Sequence, residues 1–473
     1  MEIKFCGAAR EVTGSAHLLT LDDGYKILLD CGLYQGNDDD MEDFNRNWYF
    51  NPSEIDCVVL SHAHIDHSGR LPFLVKSGFK GIIYSTHATR SLCAIMLLDS
   101  AKIQEYDAKY QNKRAQDQGK KQSFTPLYEV RHVSETMKLF RSIAYEQWFT
   151  IHEGVEVMYK DAGHILGSAS VTLRINGDKY FGFTGDIGRP DRPILRDPVP
   201  MPPLDYMICE STYGDRDHIS KPIEDELFLK IIRETCIDRG GKVIIPSFSV
   251  GRTQDIVYIL DQMFNEGLLP KNLPIYVDSP LAINATQVYG THPECYDDDL
   301  NEYLLEDEDP FGFNSLTYVR DVEFSKSLNG RKEPCVIISA SGMANAGRVR
   351  HHIANNIEDP KNTILLVGYA TPSTPAGMLN AGVKELKLFG EWLQVRARVE
   401  RIDALSAHGD RWEMLSFIKK QQNLKGLFLV HGDYEAQIAW QAFLEQRGFD
   451  NIHIPALRDE FQLYQDTGED DDI

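Results

Sequence analysis

The chain has 473 residues, of which 42% are hydrophobic, 25% charged and 10% aromatic, a composition typical of a globular protein with two or three domains. No apolar run is long enough to cross a bilayer, so no membrane partner is expected. The formal net charge of −22 excludes a uniformly basic nucleic-acid-binding surface, although it leaves room for a local basic groove.

The eight cysteines are dispersed without any C-x-x-C pair, and several lie in apolar, strand-like segments. This pattern predicts reduced thiols in the core rather than a disulfide framework. The N-terminal residues also lack the basic and apolar regions of a signal peptide. Both observations predict a cytoplasmic protein.

Three short strands are predicted within residues 2–30, with a glycine-containing turn before each of the last two. The third strand ends in Asp30, an acid at the carboxyl end of an apolar run. One interpretation is a turn residue, and the other is a carboxylate that orients metal-binding histidines from behind.

The sequence S-H-A-H-I-D-H follows another apolar run at residues 57–60, which predicts a buried strand. His62 and His64 point the same way in an extended loop, so both can bind one ion. Asp66 and His67 lie past the bend and can face a second ion. Imidazole with carboxylate suits zinc, and manganese or iron are alternatives.

A helix is predicted from Gly69 to Lys80, and a long helical region is predicted over about 88–150. The second region contains a basic cluster that is either a phosphate-facing patch or a solvated helix end. Its members are Lys109, Lys113, Arg114, Lys120 and Lys121.

Three further strands end in ligand-type residues, His164, Asp186 and Glu210. His164 and Asp186 supply what a two-metal site still needs, namely a third imidazole and a bridging carboxylate. From about residue 205 to 385, strand and helix signals alternate, which predicts a parallel sheet with flanking helices. His431 ends a later strand, so this block is inserted into the metal-binding domain.

The motif H-x-H-x-D-H, followed by G-H-x-x-G-S and T-G-D, resembles the metallo-β-lactamase superfamily. E-S-T-Y-G-D, P-S-F-S-V-G-R-T-Q, S-A-S-G-M, S-A-H-G-D and L-V-H-G-D resemble its nucleic-acid-processing β-CASP branch. The resemblance implies an α/β fold: a four-layer αββα sandwich with an inserted β-CASP domain. We expect that sandwich at 1–208 and 386–458, the insertion at 209–385 and an acidic tail at 459–473.

By position, the resemblance implies that His62, His64 and His164 hold one zinc ion. Asp66, His67 and His431 would hold a second, with Asp186 bridging and Asp30 supporting the ligands. Catalysis would involve Asp66 and Asp186 together with His408 as general acid and Glu210 as its orienting partner.

Strand-to-helix junctions in the insertion leave backbone N–H groups at helix N-termini, which are anion sites. The candidate phosphate contacts are Ser247, Arg252, Ser339, Ser341, Gly342 and Arg348. Ordinary packing between strands and helices is the alternative interpretation of these segments.

The expected function is a zinc-dependent ribonuclease that hydrolyses single-stranded RNA with a hydroxide bridging two metal ions. A homodimer is the candidate assembly. The alternatives are a DNA-directed nuclease of the same branch, a small-substrate hydrolase such as a thioesterase or lactonase, a flavodiiron oxidoreductase and an inactive scaffold.

Overall fold

The computed structural model describes residues 1–35, 38–119, 124–218, 222–368, 370–402 and 406–464. These residues divide into two compact units. The first unit contains Met1–Gly188, Pro198–Asp217 and the chain from His408 onward, and the second contains Arg189–Asp197 and His218–Ala407.

The strands are short and largely buried. In chain order they are β1 (Glu2–Phe5), β2 (His17–Thr20), β3 (Lys26–Leu29), β4 (Cys57–Val59), β5 (Ile82–Ser85), β6 (Phe140–Ser142), β7 (Phe149–His152), β8 (Val155–Asp161), β9 (Ala169–Ile175), β10 (Lys179–Phe183), β11 (Tyr206–Glu210), β12 (Lys242–Pro246), β13 (Ile275–Val277), β14 (Leu316–Tyr318), β15 (Cys335–Ser339), β16 (Thr363–Val367), β17 (Glu385–Leu388), β18 (Glu391–Gln394), β19 (Arg398–Ile402), β20 (Gly426–Val430), β21 (Ile452–His453) and β22 (Glu460–Gln462).

The α-helices occur between these strands. In chain order they are α1 (Asp38–Arg46), α2 (Ile65–Ser68), α3 (Leu71–Lys76), α4 (His87–Asp117), α5 (Val130–Met137), α6 (Pro222–Ile232), α7 (Arg252–Asn265), α8 (Pro280–Tyr289), α9 (Asp298–Tyr303), α10 (Val322–Gly330), α11 (Val349–Asn356), α12 (Pro375–Asn380), α13 (Arg411–Ile418) and α14 (Tyr434–Glu445).

The first unit is built on two sheets, ordered β22-β1-β2-β3-β4-β5-β6 and β21-β20-β11-β10-β9-β8-β7. Apolar side chains of both sheets meet in one core, which includes Phe5, Leu19, Tyr159, Val171 and Phe183. The sheets therefore pack face to face, as alternating inward residues require.

Helices cover both outer faces of this sandwich. On one side, Met414 and Phe417 of α13 and Trp440 of α14 pack on Met207 of β11 and Leu429 of β20. On the other side, α5 contacts both α3 and α4, and α4 contacts β6. The predicted four-layer αββα fold is confirmed.

The second unit contains a six-stranded sheet, ordered β14-β13-β15-β12-β16-β19, in which every pairing is parallel. The central strands β12, β15 and β16 are buried along their whole length. Continuous apolar strands of this kind are typical of parallel sheets that helices cover on both faces. A separate hairpin joins β17 and β18.

Three predictions from the sequence were wrong in their boundaries. The helical region over 88–150 ends at Asp117 as α4, and the rest includes α5, β6 and β7. The inserted unit continues to Ala407, because β19 pairs with β16 and so completes the second sheet. The predicted acidic tail begins too early, because β22 pairs with β1 across Glu460–Gln462.

Lys120, Lys121 and the last nine residues of the chain lie outside the described residues. All eight cysteines are free and buried, as the sequence predicted. Among the described helices, none combines the length and apolar character that crossing a bilayer requires.

Candidate metal centre

Seven candidate ligands follow the carboxyl ends of four strands in the first unit. His62 and His64 follow β4 directly, and α2 then carries Asp66 and His67. The other three follow β8, β10 and β20, and they are His164, Asp186 and His431. Strand ends are where open α/β sheets place their sites.

His62, His64, His164 and Asp186 form a first pocket. Nδ1 of His64 lies 3.1 Å from Nε2 of His62 and 3.1 Å from Nε2 of His164. Oδ2 of Asp186 lies 3.4 Å and 3.3 Å from those same Nε2 atoms. Four ligand atoms therefore converge on one point, as tetrahedral zinc coordination requires.

Asp66, His67 and His431 form a second pocket beside the first. Nε2 of His67 lies 3.1 Å from Nε2 of His431. The same His431 nitrogen lies 3.6 Å from Oδ2 of Asp66. Oδ1 of Asp186 lies 3.2 Å from Nε2 of His67. Asp186 thus presents one oxygen to each pocket.

The donor set fits a pair of divalent cations. Asp186 is only 2% exposed, and its Oδ1 accepts no hydrogen bond from any described residue. A buried carboxylate oxygen that accepts no hydrogen bond is costly, and a cation in the second pocket would satisfy it. Imidazole nitrogens only 3.1 Å apart are likewise explained by a shared ion.

Asp30 supports the second pocket from behind. Its buried carboxylate lies 2.6 Å from Nδ1 of His67, and it accepts hydrogen bonds from the backbone and the hydroxyl of Ser61, each at 2.8 Å. The hydroxyl of Ser15 donates to it at 3.3 Å. Because Asp30 engages Nδ1, it directs Nε2 of His67 towards the other candidate ligands of the second pocket.

Two supporting residues were missed in the sequence. The hydroxyl of Ser61 lies 3.0 Å from Nδ1 of His62, and that of Thr212 lies 3.0 Å from Nδ1 of His431. Ser61 opens the histidine motif, and Thr212 follows Glu210 by two residues. Their position beside predicted site residues is the signal that could have found them.

Burial sets the protonation of the first pocket. It lowers the pKa of His62 to about 3 and that of His64 to about 4, so both rings are neutral and can bind a metal. In the second pocket, burial opposes the charged form of His67. The Asp186 and Asp30 carboxylates outweigh that effect and raise its pKa.

His408 and Glu210 lie beside the pockets. Nδ1 of His408 lies 3.3 Å and 3.2 Å from the two carboxylate oxygens of Glu210, and its Nε2 lies 4.0 Å from Oδ2 of Asp186. Burial lowers the pKa of His408, but the carboxylates of Glu210, Asp186 and Asp66 together outweigh that effect, and the net shift is upward. His408 is 20% exposed at its side chain, whereas Glu210 is fully buried.

The candidate phosphate contacts all lie in the second unit, and the side chains of two of them are enclosed. The side chains of Ser247 and Ser339 are buried, and their hydroxyls donate to the carbonyl oxygens of Phe248 and Asp278. Ser247 directly follows β12 and Ser339 ends β15, so a phosphate contact at either residue would use backbone N–H groups, and both stay predictions.

The other four contacts stay predictions. The guanidinium of Arg348 binds the Asp278 carboxylate at 2.6 Å, and that of Arg252 lies over the Phe248 ring. Ser341 and Gly342 are partly exposed. A side chain at Gly342 would meet the Phe248 ring 2.8 Å away, so this close approach requires glycine.

Three family models match the chain. The metallo-beta-lactamase superfamily domain matches residues 18–180, the Beta-Casp domain matches 253–379, and the Zn-dependent metallo-hydrolase RNA specificity domain matches 392–455. The three matches together span most of the described chain.

Similar proteins include Ribonuclease TTHA0252 of Thermus thermophilus, which is 34% identical over 95% of this chain and 97% of its own length. The RNase J-like protein of Methanocaldococcus jannaschii is 32% identical, with 91% of this chain and 92% of that protein covered. Transcription termination factor FttA of Methanosarcina mazei is 32% identical over 91% of this chain, which spans 66% of FttA.

A solved structure, described as a protein of unknown function from Enterococcus faecalis, matches with a TM-score of 0.53 at 11% identity. The match covers 98% of this chain and 99% of that one. At this identity the likeness concerns the fold alone.

Proposed function

The chain belongs to the β-CASP branch of the metallo-β-lactamase superfamily, and we propose that it hydrolyses phosphodiester bonds of single-stranded RNA with two zinc ions held in the two pockets. It is a metal-dependent hydrolytic nuclease, as its ribonuclease relatives indicate. The observation that carries the two-ion proposal is Asp186, whose two oxygens face separate sets of imidazole nitrogens.

His62, His64 and His164 would hold one ion, and Asp66, His67 and His431 the other, with Asp186 shared. A pair of divalent cations lowers the pKa of water and neutralises charge on a phosphate in hydrolysis. The task of this chain is to hold its ligands neutral or anionic and correctly oriented. The low pKa values of His62 and His64 and the contact of Asp30 with His67 support that role.

His408 would donate a proton to the leaving 3′ oxygen. Its Nδ1 contacts Glu210, which orients the ring and raises its basicity, and its Nε2 is directed towards the Asp186 side of the site. A protonated imidazole at that position supplies the proton that the departing alkoxide needs. Asp66 and Asp186 contribute as anionic ligands.

Two observations favour RNA as the substrate. The RNA specificity domain matches the C-terminal part of the chain, and Ribonuclease TTHA0252 is similar over almost the full length of both proteins. The same relatives weigh against a small-substrate hydrolase. The experiment must also distinguish an RNA-directed nuclease from a DNA-directed one.

The test is to incubate the purified protein, loaded with two equivalents of zinc, with end-labelled RNA and DNA single strands of matched sequence. We expect RNA cleavage that stops when a chelator is added and resumes with zinc, and bound zinc near two ions per chain. The product ladder distinguishes internal cleavage from progression along the strand. Gel filtration of the same sample tests the expected homodimer.

Preferential cleavage of DNA would move the protein to the DNA-directed class. One bound ion, or RNA cleavage that persists in chelator, would overturn the two-ion proposal. Mn²⁺ and Fe²⁺ are loaded in parallel, because the carboxylates of the second pocket also suit harder ions.

A further inference from the structure

The outer face of α4 carries large side chains that the proposed nuclease chemistry does not use. Ile103, Tyr106 and Tyr110 are 54%, 69% and 59% exposed. They are spaced three and four residues apart, so they lie side by side along one face of the helix.

Along the second half of the same helix, from Ala101 onward, the buried residues are small instead. Ala101, Ala108 and Ala115 are buried, at a spacing of seven residues. Folding by itself favours the reverse arrangement, because burial of a large apolar side chain stabilises far more than burial of alanine. The exposed tyrosines therefore point to a role outside the core.

Basic residues surround the tyrosines. Lys102, Lys109, Lys113 and Arg114 are exposed, and none forms an ion pair with a described residue. Asp107 is the one acid among the charged residues three or four positions from either tyrosine, whereas the four cations all occupy such positions. Asp99, Glu105 and Asp117 lie farther along or around the helix. In a chain whose net charge is −22, four cations beside two exposed aromatic rings form a local site that complements a polyanion.

The helix is held rigidly by the segment that follows it. The side chain of Asn112 donates to the carbonyl oxygen of Phe124 at 2.8 Å and accepts from its amide at 2.7 Å. The amide of Leu127 donates to the Gln104 side chain at 3.1 Å. The exposed rings are thus presented on a fixed support.

We propose that Tyr106, Lys109, Tyr110 and Lys113, which we name the α4 platform, bind the single-stranded RNA substrate at a distance from the metal pockets. Two bases would stack on the tyrosines, and the lysines would contact the adjoining phosphates. Aromatic rings combined with cations are how proteins bind single strands without sequence preference. This inference rests on the proposed function.

The geometry of the first unit sets the length of RNA required. The hydroxyls of Thr86 and Thr89, at the start of α4, donate to the carbonyl oxygen of Gly167, three residues after the ligand His164. Tyr106 lies 19 residues beyond His87, or about 28 Å along the helix axis. At about 3.4 Å per stacked nucleotide, roughly eight nucleotides span that distance.

The experiment compares a 30-nucleotide and a 4-nucleotide single-stranded RNA on the zinc-loaded protein. The variants are Tyr106→Ala with Tyr110→Ala, and Lys109→Gln with Lys113→Gln. Gln111→Ala, at an exposed, uncharged position away from this face, is the matched control. Binding of the long RNA is measured by fluorescence anisotropy, and cleavage of each RNA as kcat/KM.

We expect each double variant to bind the long RNA about tenfold more weakly and to lose kcat/KM on it to a similar degree. Cleavage of the short RNA and all properties of Gln111→Ala should be unchanged. The lysine variant should also show a weaker dependence of binding on salt. If the wild type binds the 30-nucleotide RNA but cleaves neither the 30-nucleotide nor the 4-nucleotide RNA, the proposed function is wrong, whereas RNA binding by the α4 platform is still supported.

Three results would overturn the platform. The first is a loss of cleavage that is equal on long and short RNA, and the second is no loss of binding to the long RNA in either double variant. The third is a wild-type dimer that the tyrosine variant dissociates in sedimentation without any change in RNA binding, because the face would then be a contact between two copies of the chain.

Discussion

The substitution Asp30→Asn tests how the second pocket is assembled. Asn occupies nearly the same volume and tolerates the left-handed backbone of residue 30, where φ is 59°. In the native protein, one carboxylate oxygen faces the backbone amide of Ser61, and the other faces His67 and the hydroxyls of Ser61 and Ser15. Both oxygens therefore accept hydrogen bonds.

An amide has only one accepting atom, so either orientation of the new side chain fails at one contact. If its nitrogen faces Ser61, two N–H groups oppose each other in a buried site. If it faces His67, it donates to Nδ1 and moves the ring proton to Nε2, the atom that must bind the metal. Loss of such a supporting contact typically weakens metal binding 10- to 100-fold, or about 1.4–2.7 kcal/mol.

The assay is a competition titration of zinc against a chromophoric chelator, with both binding steps resolved. We expect the zinc affinity to fall in only one of the two binding steps, since the first pocket keeps all of its candidate ligands. Asp23→Asn is the matched control, because Asp23 contacts His152 at 2.8 Å on the surface, away from any candidate ligand. Two unchanged zinc affinities in Asp30→Asn would refute the argument that this carboxylate orients His67.

Three further predictions concern catalysis, stability and metal. His408→Ala should slow RNA cleavage by roughly 10²–10⁴-fold with zinc content retained, and loss of zinc on elemental analysis would instead make His408 a ligand. Burial raises the pKa of Asp261 from 3.8 to about 6, so its ionisation destabilises the fold as the pH rises from about 4 through 6. Asp261→Asn should then raise the free energy of unfolding by up to about 3 kcal/mol at pH 8 but by only about 0.5 kcal/mol at pH 4. Equal effects in urea titrations at both pH values would contradict this. Removing bound metal should lower the thermal unfolding midpoint, since a ligand at 1,000 times its Kd stabilises the folded state by about 4 kcal/mol. The same midpoint with and without chelator in calorimetry would show that bound metal does not stabilise the fold.

The fold was predictable where local patterns and chain topology agree. Apolar runs such as residues 57–60 became buried strands, and the ligand-type residues after them came together because strand ends meet at one edge of the sandwich. The alternation of strands and helices from residue 205 also gave the parallel sheet of the second unit.

The errors arose where a partner distant in sequence decides the structure. Nothing local distinguishes β22 from an acidic tail, because its strand pairing with β1 depends on a segment more than 450 residues away. The expected domain boundary at residue 385 likewise placed β19 in the wrong unit, because only the folded sheet shows that β19 pairs with β16. Ser247 and Ser339 follow typical anion-site patterns, yet only the packed structure shows that their hydroxyls are enclosed.

The buried cysteines provide intrinsic reporters of local opening. Burial raises the pKa of Cys6, Cys31, Cys57 and Cys93 to about 12, so thiolate, the form that alkylating reagents attack, is scarce in the native state. Five of the eight thiols belong to the first unit and three to the second. Mass spectrometry of timed alkylation would therefore follow the unfolding of each unit separately, without any engineered label.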